Sequence, residues 1–304
     1  MYDVVIFGGG PAGLSAALVL GRCRRRVLLC DAGQPRNARA GALHGYLTRD
    51  GTPPLELVRL GQEELRRYGI EVQPVTVTGI EPFEDGFDVT VERGTKHRAL
   101  MVLLATGVRD QLPDISGIEA CYGVSVHHCP YCDGWEVRDK ALAVIGNGAG
   151  AAGLALSLKT WSDRVTLCTN GRARLSRTLR DRLAAQRIEI REERLQRADH
   201  DGGHVTGLVP RHGEAIACEA VFFATGQAQQ SGLPRKLGCE FTGKGTVKTD
   251  HLGQTCVRGV FVAGDASRDV QFVIVAAAEG AKAGVAINKA LQARAGLAVY
   301  KADT

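Results

Sequence analysis

One pattern constrains this chain more than any other, and it occurs twice. The apolar run Tyr2-Asp3-Val4-Val5-Ile6-Phe7 enters the turn Gly8-Gly9-Gly10-Pro11-Ala12-Gly13, then an alanine- and leucine-rich stretch to about Arg22 and a second apolar run from Arg26 to Cys30. Ala141 to Ile145 leads in the same way into Gly146-Asn147-Gly148-Ala149-Gly150-Ala151, a helical stretch to about Trp161 and the run Arg164 to Cys168. Each copy reads as strand, tight turn, helix, strand. The glycines let the turn close and let the backbone approach a pyrophosphate, which meets the positive end of the helix. Asp31, closing the first copy, suits hydrogen bonds from a ribose diol. An ordinary tight turn is the alternative for an isolated G-x-G-x-x-G, and the two flanking strands with Asp31 in register speak against it. Two copies about 140 residues apart imply an α/β protein with two Rossmann-like nucleotide-binding domains.

The chain has 304 residues, enough for two domains, and its 38 glycines cluster in these fingerprints rather than in linkers. A net charge of +5 is compatible with an acidic protein partner and makes no case for nucleic acid. The densest basic run, Arg22-Cys23-Arg24-Arg25-Arg26, falls where the first helix ends and complements its dipole. Nine cysteines are present, most of them in apolar segments, and Cys30, Cys168 and Cys218 read as small buried hydrophobes. That usage suits a reducing compartment, so a cytoplasmic enzyme is expected. A strand begins within the first few residues, where a signal peptide would stand, and no apolar run is long enough to span a bilayer.

Between the copies, Pro53 to Tyr68 shows helical spacing, and Val72 to Thr78, Phe87 to Val91 and Ala99 to Leu104 alternate as strands. The last ends in Ala105-Thr106-Gly107, and Ala220 to Ala224 leads into a second Ala-Thr-Gly at Ala224-Thr225-Gly226. Near the end, Gly259 to Asp265 reads as a strand closing on Gly264-Asp265, with a long helix from about Val270 to Ala293.

The remaining chemistry lies in His127-His128-Cys129-Pro130-Tyr131-Cys132-Asp133-Gly134-Trp135-Glu136. Two cysteines at this spacing close a small disulfide when the second sits on the first turn of a helix, where a thiolate is stabilised. Asp133 is placed to supply or accept the proton that thiol exchange moves. Half of a zinc site is the competing reading, with His127 and His128 as further ligands, but no second ligand pair of similar spacing exists.

Both fingerprints, both Ala-Thr-Gly turns, the C-x-x-C-Asp and the final Gly-Asp together resemble the low-molecular-weight thioredoxin reductase family of FAD-dependent disulfide oxidoreductases, over nearly the whole chain. The resemblance implies that the second domain is inserted into the first: residues 1–112 and 228–304 would bind FAD and residues 113–227 would carry the C-x-x-C. Gly8, Gly10, Pro11, Ala12 and Gly13 would meet the FAD pyrophosphate and Asp31 the adenosine ribose, with Thr106, Gly107 and Gly264 beside the cofactor. Asp265 would bind the ribityl or pyrophosphate portion. Cys132 would face the flavin, Cys129 would attack the partner's disulfide and Asp133 would be the acid. Gly146, Gly148 and Ala151 would form the second nucleotide site, and a homodimer is the family expectation.

Several positions depart from the family pattern. The arginines that would hold the 2′-phosphate of NADPH are replaced by Thr169-Asn170-Gly171, with Arg172 and Arg174 following as partial substitutes. The acidic pair after the second fingerprint is absent, the chain reading Gly153-Leu154-Ala155-Leu156. NADPH and a second flavin are therefore both candidates for that site. Gln271-Phe272-Val273 stands where the family has Arg-Gln-Ala, and His44, in His44-Gly45-Tyr46-Leu47-Thr48, either contacts the flavin or is an ordinary satisfied histidine. Trp135 either shields the disulfide or packs a domain interface, packing being the commoner role of an isolated tryptophan. Cys-Pro-Tyr-Cys-Asp-Gly-Trp-Glu, with Asp269 to Val275, is closer in wording to a side branch of the family. That branch holds oxidases that close disulfides in small dithiols such as gliotoxin and holomycin, and neighbours ferredoxin-driven and two-flavin enzymes. The expectation is an FAD-dependent thiol–disulfide oxidoreductase acting on a thioredoxin-like protein or a small-molecule dithiol or disulfide. A dithiol oxidase independent of NADPH and a flavin-binding redox sensor are the rivals.

Overall fold

The computed structural model describes residues 1–267 and 270–297, so Asp269 lies outside the described residues. Strand β1 (Tyr2–Phe7), helix α1 (Pro11–Arg22) and β2 (Val27–Cys30) form the first copy of the repeated unit. Helix α2 (Pro54–Arg66) leads to β3 (Glu71–Gln73), and β4 (Val77–Phe83), β5 (Gly86–Val91) and β6 (Lys96–Leu104) follow. They form a sheet of order β3-β2-β1-β6-β5-β4. The strand expected over Val72 to Thr78 is in fact two. Pro74 has no N–H to continue a ladder, so β3 ends at Gln73 on the β2 side and β4 begins afresh at Val77 against β5.

The chain leaves this sheet through β7 (Val108–Asp110) and helix α3 (Ile118–Cys121). Strand β8 (Val126–His127) then delivers the C-x-x-C, whose second half is the short helix α4 (Pro130–Asp133). The second copy follows as β9 (Leu142–Ile145), α5 (Gly148–Leu158) and β10 (Val165–Cys168), then α6 (Arg177–Ala185) and β11 (Glu189–Arg191). An antiparallel ribbon, β12 (Leu195–Asp201), β13 (His204–Pro210) and β14 (Ile216–Ala217), precedes β15 (Ala220–Phe223). The second sheet is parallel throughout, in the order β11-β10-β9-β15-β8.

The chain returns through β16 (Gln227–Gln229), which pairs antiparallel with β7 so that Gln227 stands opposite Asp110. The two connections between the sheets are thus hydrogen-bonded to each other. After the turn helix α7 (Leu233–Lys236), β17 (Val260–Val262) docks in parallel on β6, and the chain closes with α8 (Val273–Arg294). Helix α8 starts three residues later than expected, because Phe272 is extended and serves as its N-cap.

The central strands are buried on both faces, which is why β1, β2, β9 and β15 read as continuous apolar runs. One face of the first sheet packs on α1 and α8 around Ile6, Leu20, Leu103 and Ile287. Gly280 permits the approach of those helices, since a Cβ there would lie 2.0 Å from the carbonyl oxygen of Ala12. Of the nine cysteines, Cys30, Cys168 and Cys218 are buried as expected, whereas Cys23 and Cys256 are exposed. The arginine run ends α1: Arg22 donates to the Tyr68 hydroxyl, and Arg25 to Asn288 on α8.

Candidate active site

A cavity of about 760 Å³ opens where the first sheet's turns meet the C-x-x-C segment. Its walls include Gly8, Gly9, Gly10, Pro11, Ala12, Asp31, Thr106, Gly107, Gly264, Asp265, Gln271, Phe272 and Val273, together with His44, His127, His128, Cys132 and Asp133. These expected residues come together from segments as distant as 8 and 273. Gly13 stands behind the wall: a Cβ there would lie 1.9 Å from the carbonyl oxygen of Gly8, so its glycine lets α1 touch the turn.

The cavity fits a dinucleotide on three counts. Helix α1 begins at Gly10 with no side-chain cap and no acidic residue in its first turn, leaving its N–H groups for a phosphate. A Cβ on Gly9 would lie 2.5 Å from the Asp31 carboxylate, so this turn has no room for a side chain. The buried hydroxyl of Thr106 has no hydrogen-bond partner, as expected of a group that faces a ligand.

A buried polar cluster that the sequence reading missed crosses this cavity. Arg36 forks onto Asp110, with Nε 2.8 Å from Oδ2 and Nη2 2.6 Å from Oδ1, while its Nη1 reaches Asp265 at 2.9 Å and Gln271 at 2.7 Å. The Tyr122 hydroxyl donates to Asp110, and Gln227 donates to both Asp110 and Gln271. Asp265 was expected at the end of its strand and free for the cofactor. The strand stops at Val262, and Asp265 sits on a 3₁₀ turn with its carboxylate held by Arg36. Burial raises the Asp265 carboxyl above its ordinary value, and Arg36 offsets this only in part. Burial also works to raise Asp110, but the Arg36 hydrogen bonds and the neighbouring charges prevail and hold it low. Burial, then the Arg36 charge, push the His128 imidazole down to about 4. No local spacing signals Arg36, Asp110 or Tyr122, because the partners are brought together only by tertiary structure.

Cys129 and Cys132 form a disulfide, with Cys129 as the N-cap of α4. The Cys132 N–H lies 3.2 Å from the Cys129 sulfur and donates to it, which favours a thiolate at Cys129 on reduction. Cys132 lies on the cavity wall and Cys129 does not. Asp133 faces the imidazole of His127, Oδ1 to Nδ1 at 3.3 Å. His44 stands between Asp50 and Glu136, each 3.6 Å from a ring nitrogen, and also lines the cavity. Trp135 neither shields nor packs. It is 64% exposed, with the Arg138 guanidinium 4.1 Å from its ring centre, because α4 ends at Asp133 and turns Trp135 outward. Tyr131 is also exposed and meets Trp161 and Phe272 edge-on.

The second fingerprint borders a separate cavity lined by Gly146, Asn147, residues 169–176, Arg194, Ala224 and Thr225. Gly148 and Ala151 are not on its wall, and Ala151 is buried beneath Gly146. Here the helix is capped from within: Asn147 Oδ1 accepts from the N–H of Gly148 and of Arg174, and Nδ2 donates to the carbonyls of Thr169 and Arg172. Arg172, Arg174 and Arg194 line this cavity, and none of them is ion-paired among the described residues. Their charges suit a phosphate, while the helix N-terminus, unlike that of α1, already has an internal partner.

The family model for pyridine nucleotide-disulphide oxidoreductases matches residues 2–280. The chain belongs to that family. Among solved structures it is similar to HlmI, at 37% identity over 97% of this chain and 93% of that one, with a TM-score of 0.93. Among curated relatives, thioredoxin reductase sirT of Leptosphaeria maculans is 30% identical over 95% of this chain and 94% of its own length. Thioredoxin reductase tcpT of Claviceps purpurea is 32% identical over 87% and 86%. As a member of this family with one cysteine of a disulfide on the wall of a cavity that fits a dinucleotide, the protein is a flavin-dependent disulfide oxidoreductase. Among the described residues no helix is long and apolar enough to cross a membrane.

Proposed function

We propose that this oxidoreductase exchanges two electrons between FAD in the first cavity and the Cys129–Cys132 pair, and between that pair and the thiols of a small dithiol or a thioredoxin-like protein. One observation carries the reading: Cys132 shares a cavity wall with the uncapped G-x-G-x-x-G turn, while Cys129 stands off that wall. In this reading Gly8 to Ala12 and Asp31 hold the adenosine and pyrophosphate portions, and Thr106, Gly107, Gly264 and Gln271 to Val273 border the rest. Bound FAD supplies the two-electron chemistry that a disulfide alone lacks. Cys129 exchanges with the partner's sulfur, its thiolate steadied by the Cys132 N–H, and Cys132 serves the side facing the cavity. The Arg36 cluster orients Asp265 and Gln271 on the wall and keeps a charged carboxylate from standing alone there.

The division into a cofactor unit of residues 1–112 and 228–304 and an inserted unit of residues 113–227 belongs to the same proposal. So do a cytoplasmic setting and a homodimer. A second reading adds NADPH as donor in the second cavity, favoured by Arg172, Arg174 and Arg194 on its wall. Anaerobic titration of the flavin absorbance separates the readings. Bleaching by dithiothreitol but not by NADPH or NADH is the expected outcome, and it is lost in Cys132→Ser. Rapid bleaching by NADPH, abolished when the three arginines become alanine, establishes the second. If no thiol bleaches the flavin, the proposal fails.

A further inference from the structure

The two copies of the strand–turn–helix–strand unit keep one register, 138 positions apart, from the first fingerprint glycine (Gly8, Gly146) to the end of the second strand (Cys30, Cys168). Gly9 therefore corresponds to Asn147, and Asp31 to Thr169. In the first copy the glycine leaves its space to the Asp31 carboxylate, which lies 2.5 Å from where a Cβ would stand and lines the cavity. In the second copy the protein fills both positions itself. Asn147 Oδ1 accepts from the N–H of Gly148 at 2.9 Å and of Arg174 at 2.8 Å. Its Nδ2 donates to the carbonyls of Thr169 at 3.1 Å and Arg172 at 3.0 Å. Only one orientation of an amide serves two donors and two acceptors at once, so the side chain is fixed. Thr169 is 3% exposed, and its hydroxyl donates to the carbonyl of Gly171 at 2.6 Å instead of facing a ribose. Helix α5 also starts one position earlier in this register than α1, with Asn147 as its N-cap.

A dinucleotide held by such a unit needs the N–H groups of the turn for its pyrophosphate and an acceptor at the strand end for its ribose. We propose that Asn147 is the residue that bars nicotinamide dinucleotides from the second cavity. Its amide stands where the ligand would, tying the fingerprint turn to the loop of residues 169–174. Arg172, Arg174 and Arg194 on the cavity wall attract phosphate, but charge alone leaves a pyrophosphate without the N–H of Gly148. A ligand that displaced the amide would have to replace four hydrogen bonds at once. Asn147 thus sets which electron carriers reach the enzyme, separately from the thiol exchange proposed above.

The test is isothermal titration calorimetry of NADP+ into the oxidised, FAD-loaded protein, with circular dichroism of each variant. NADP+ reports binding without reducing the flavin. The unmodified protein is expected to bind it with a Kd weaker than about 1 mM. Asn147→Asp keeps an acceptor for both N–H groups and adds negative charge, so it should bind no better. Asn147→Gly restores the residue of the first copy and should bind about tenfold more tightly or better, the gain from one recovered hydrogen bond to a charged group. Asn147→Ala, which lacks the amide but keeps a Cβ, gives the same reading where glycine loosens the turn. No gain in a folded Asn147→Gly or Asn147→Ala overturns the assignment. An equal gain in Asn147→Asp also overturns it, since exclusion would then lie in the loop and not in the amide. Tight binding of NADP+ by the unmodified protein overturns it without any variant. Bleaching of the flavin by dithiothreitol is read separately, and its failure removes the thiol-exchange reading while leaving this one intact.

Discussion

Arg36 and Asp110 form a two-point ion pair, at 2.6 and 2.8 Å, between a cavity loop and the strand that leaves the first sheet, and the Asp110 side chain is only 1% exposed. Removing one partner of such a pair strands a buried charge, at a cost of about 3–5 kcal/mol. Arg36→Met should therefore lower the unfolding free energy from urea titration by an amount of that order, whereas Arg36→Met with Asp110→Asn should recover much of it. Equal losses in the single and double variants would show that the pair has no such coupling.

Stability should fall on acidification in a particular window. His128 is held down to about 4, so it is neutral in the fold where the unfolded chain, with an ordinary histidine value near 6.5, is protonated. A depressed group contributes its full share above the unfolded value and loses it as pH falls through the folded one. The unfolding free energy of the unmodified protein should drop between pH of about 6.5 and 4, by an amount of the order of 3 kcal/mol. His128→Gln should flatten that part of the curve, and an unchanged curve would exclude His128 as its source.

Gly9→Ala brings a methyl group to 2.5 Å from the Asp31 carboxylate and must push that side chain aside. Flavin retention should weaken by about tenfold or more, equivalent to about 1.4 kcal/mol, with the fold maintained. Measuring flavin content against free FAD, alongside circular dichroism, checks both halves of this expectation.

Trp135→Ala should be almost silent for stability. An exposed ring carrying one arginine contributes within about 0.5 kcal/mol, whereas a packed tryptophan costs about 3–5 kcal/mol on truncation. A large drop in melting temperature would contradict the outward placement of this ring.

The sequence by itself determined the two strand–turn–helix–strand units and their order. Strand, glycine turn and helix are local features, written in glycines that Gly13 and Gly9 show to be sterically required and in the apolar runs of β1 and β9 that parallel sheets demand. The C-x-x-C spacing allowed a disulfide with the second cysteine on a helix turn, and the structure has that arrangement. What only the tertiary structure decided depends on which way a side chain points and which distant residue it meets. Asp265 was legible as part of a Gly-Asp strand ending but not as the partner of Arg36, 229 positions away. Asp133 was legible as an acid but not as the partner of His127, since that contact requires β8 and α4 to fold back on one another. The two glycine fingerprints look nearly alike in sequence, yet one helix opens uncapped onto a cavity and the other is closed by Asn147. Periodicity and turn chemistry are properties of neighbours along the chain, whereas ion pairs and caps at a site are properties of neighbours in space.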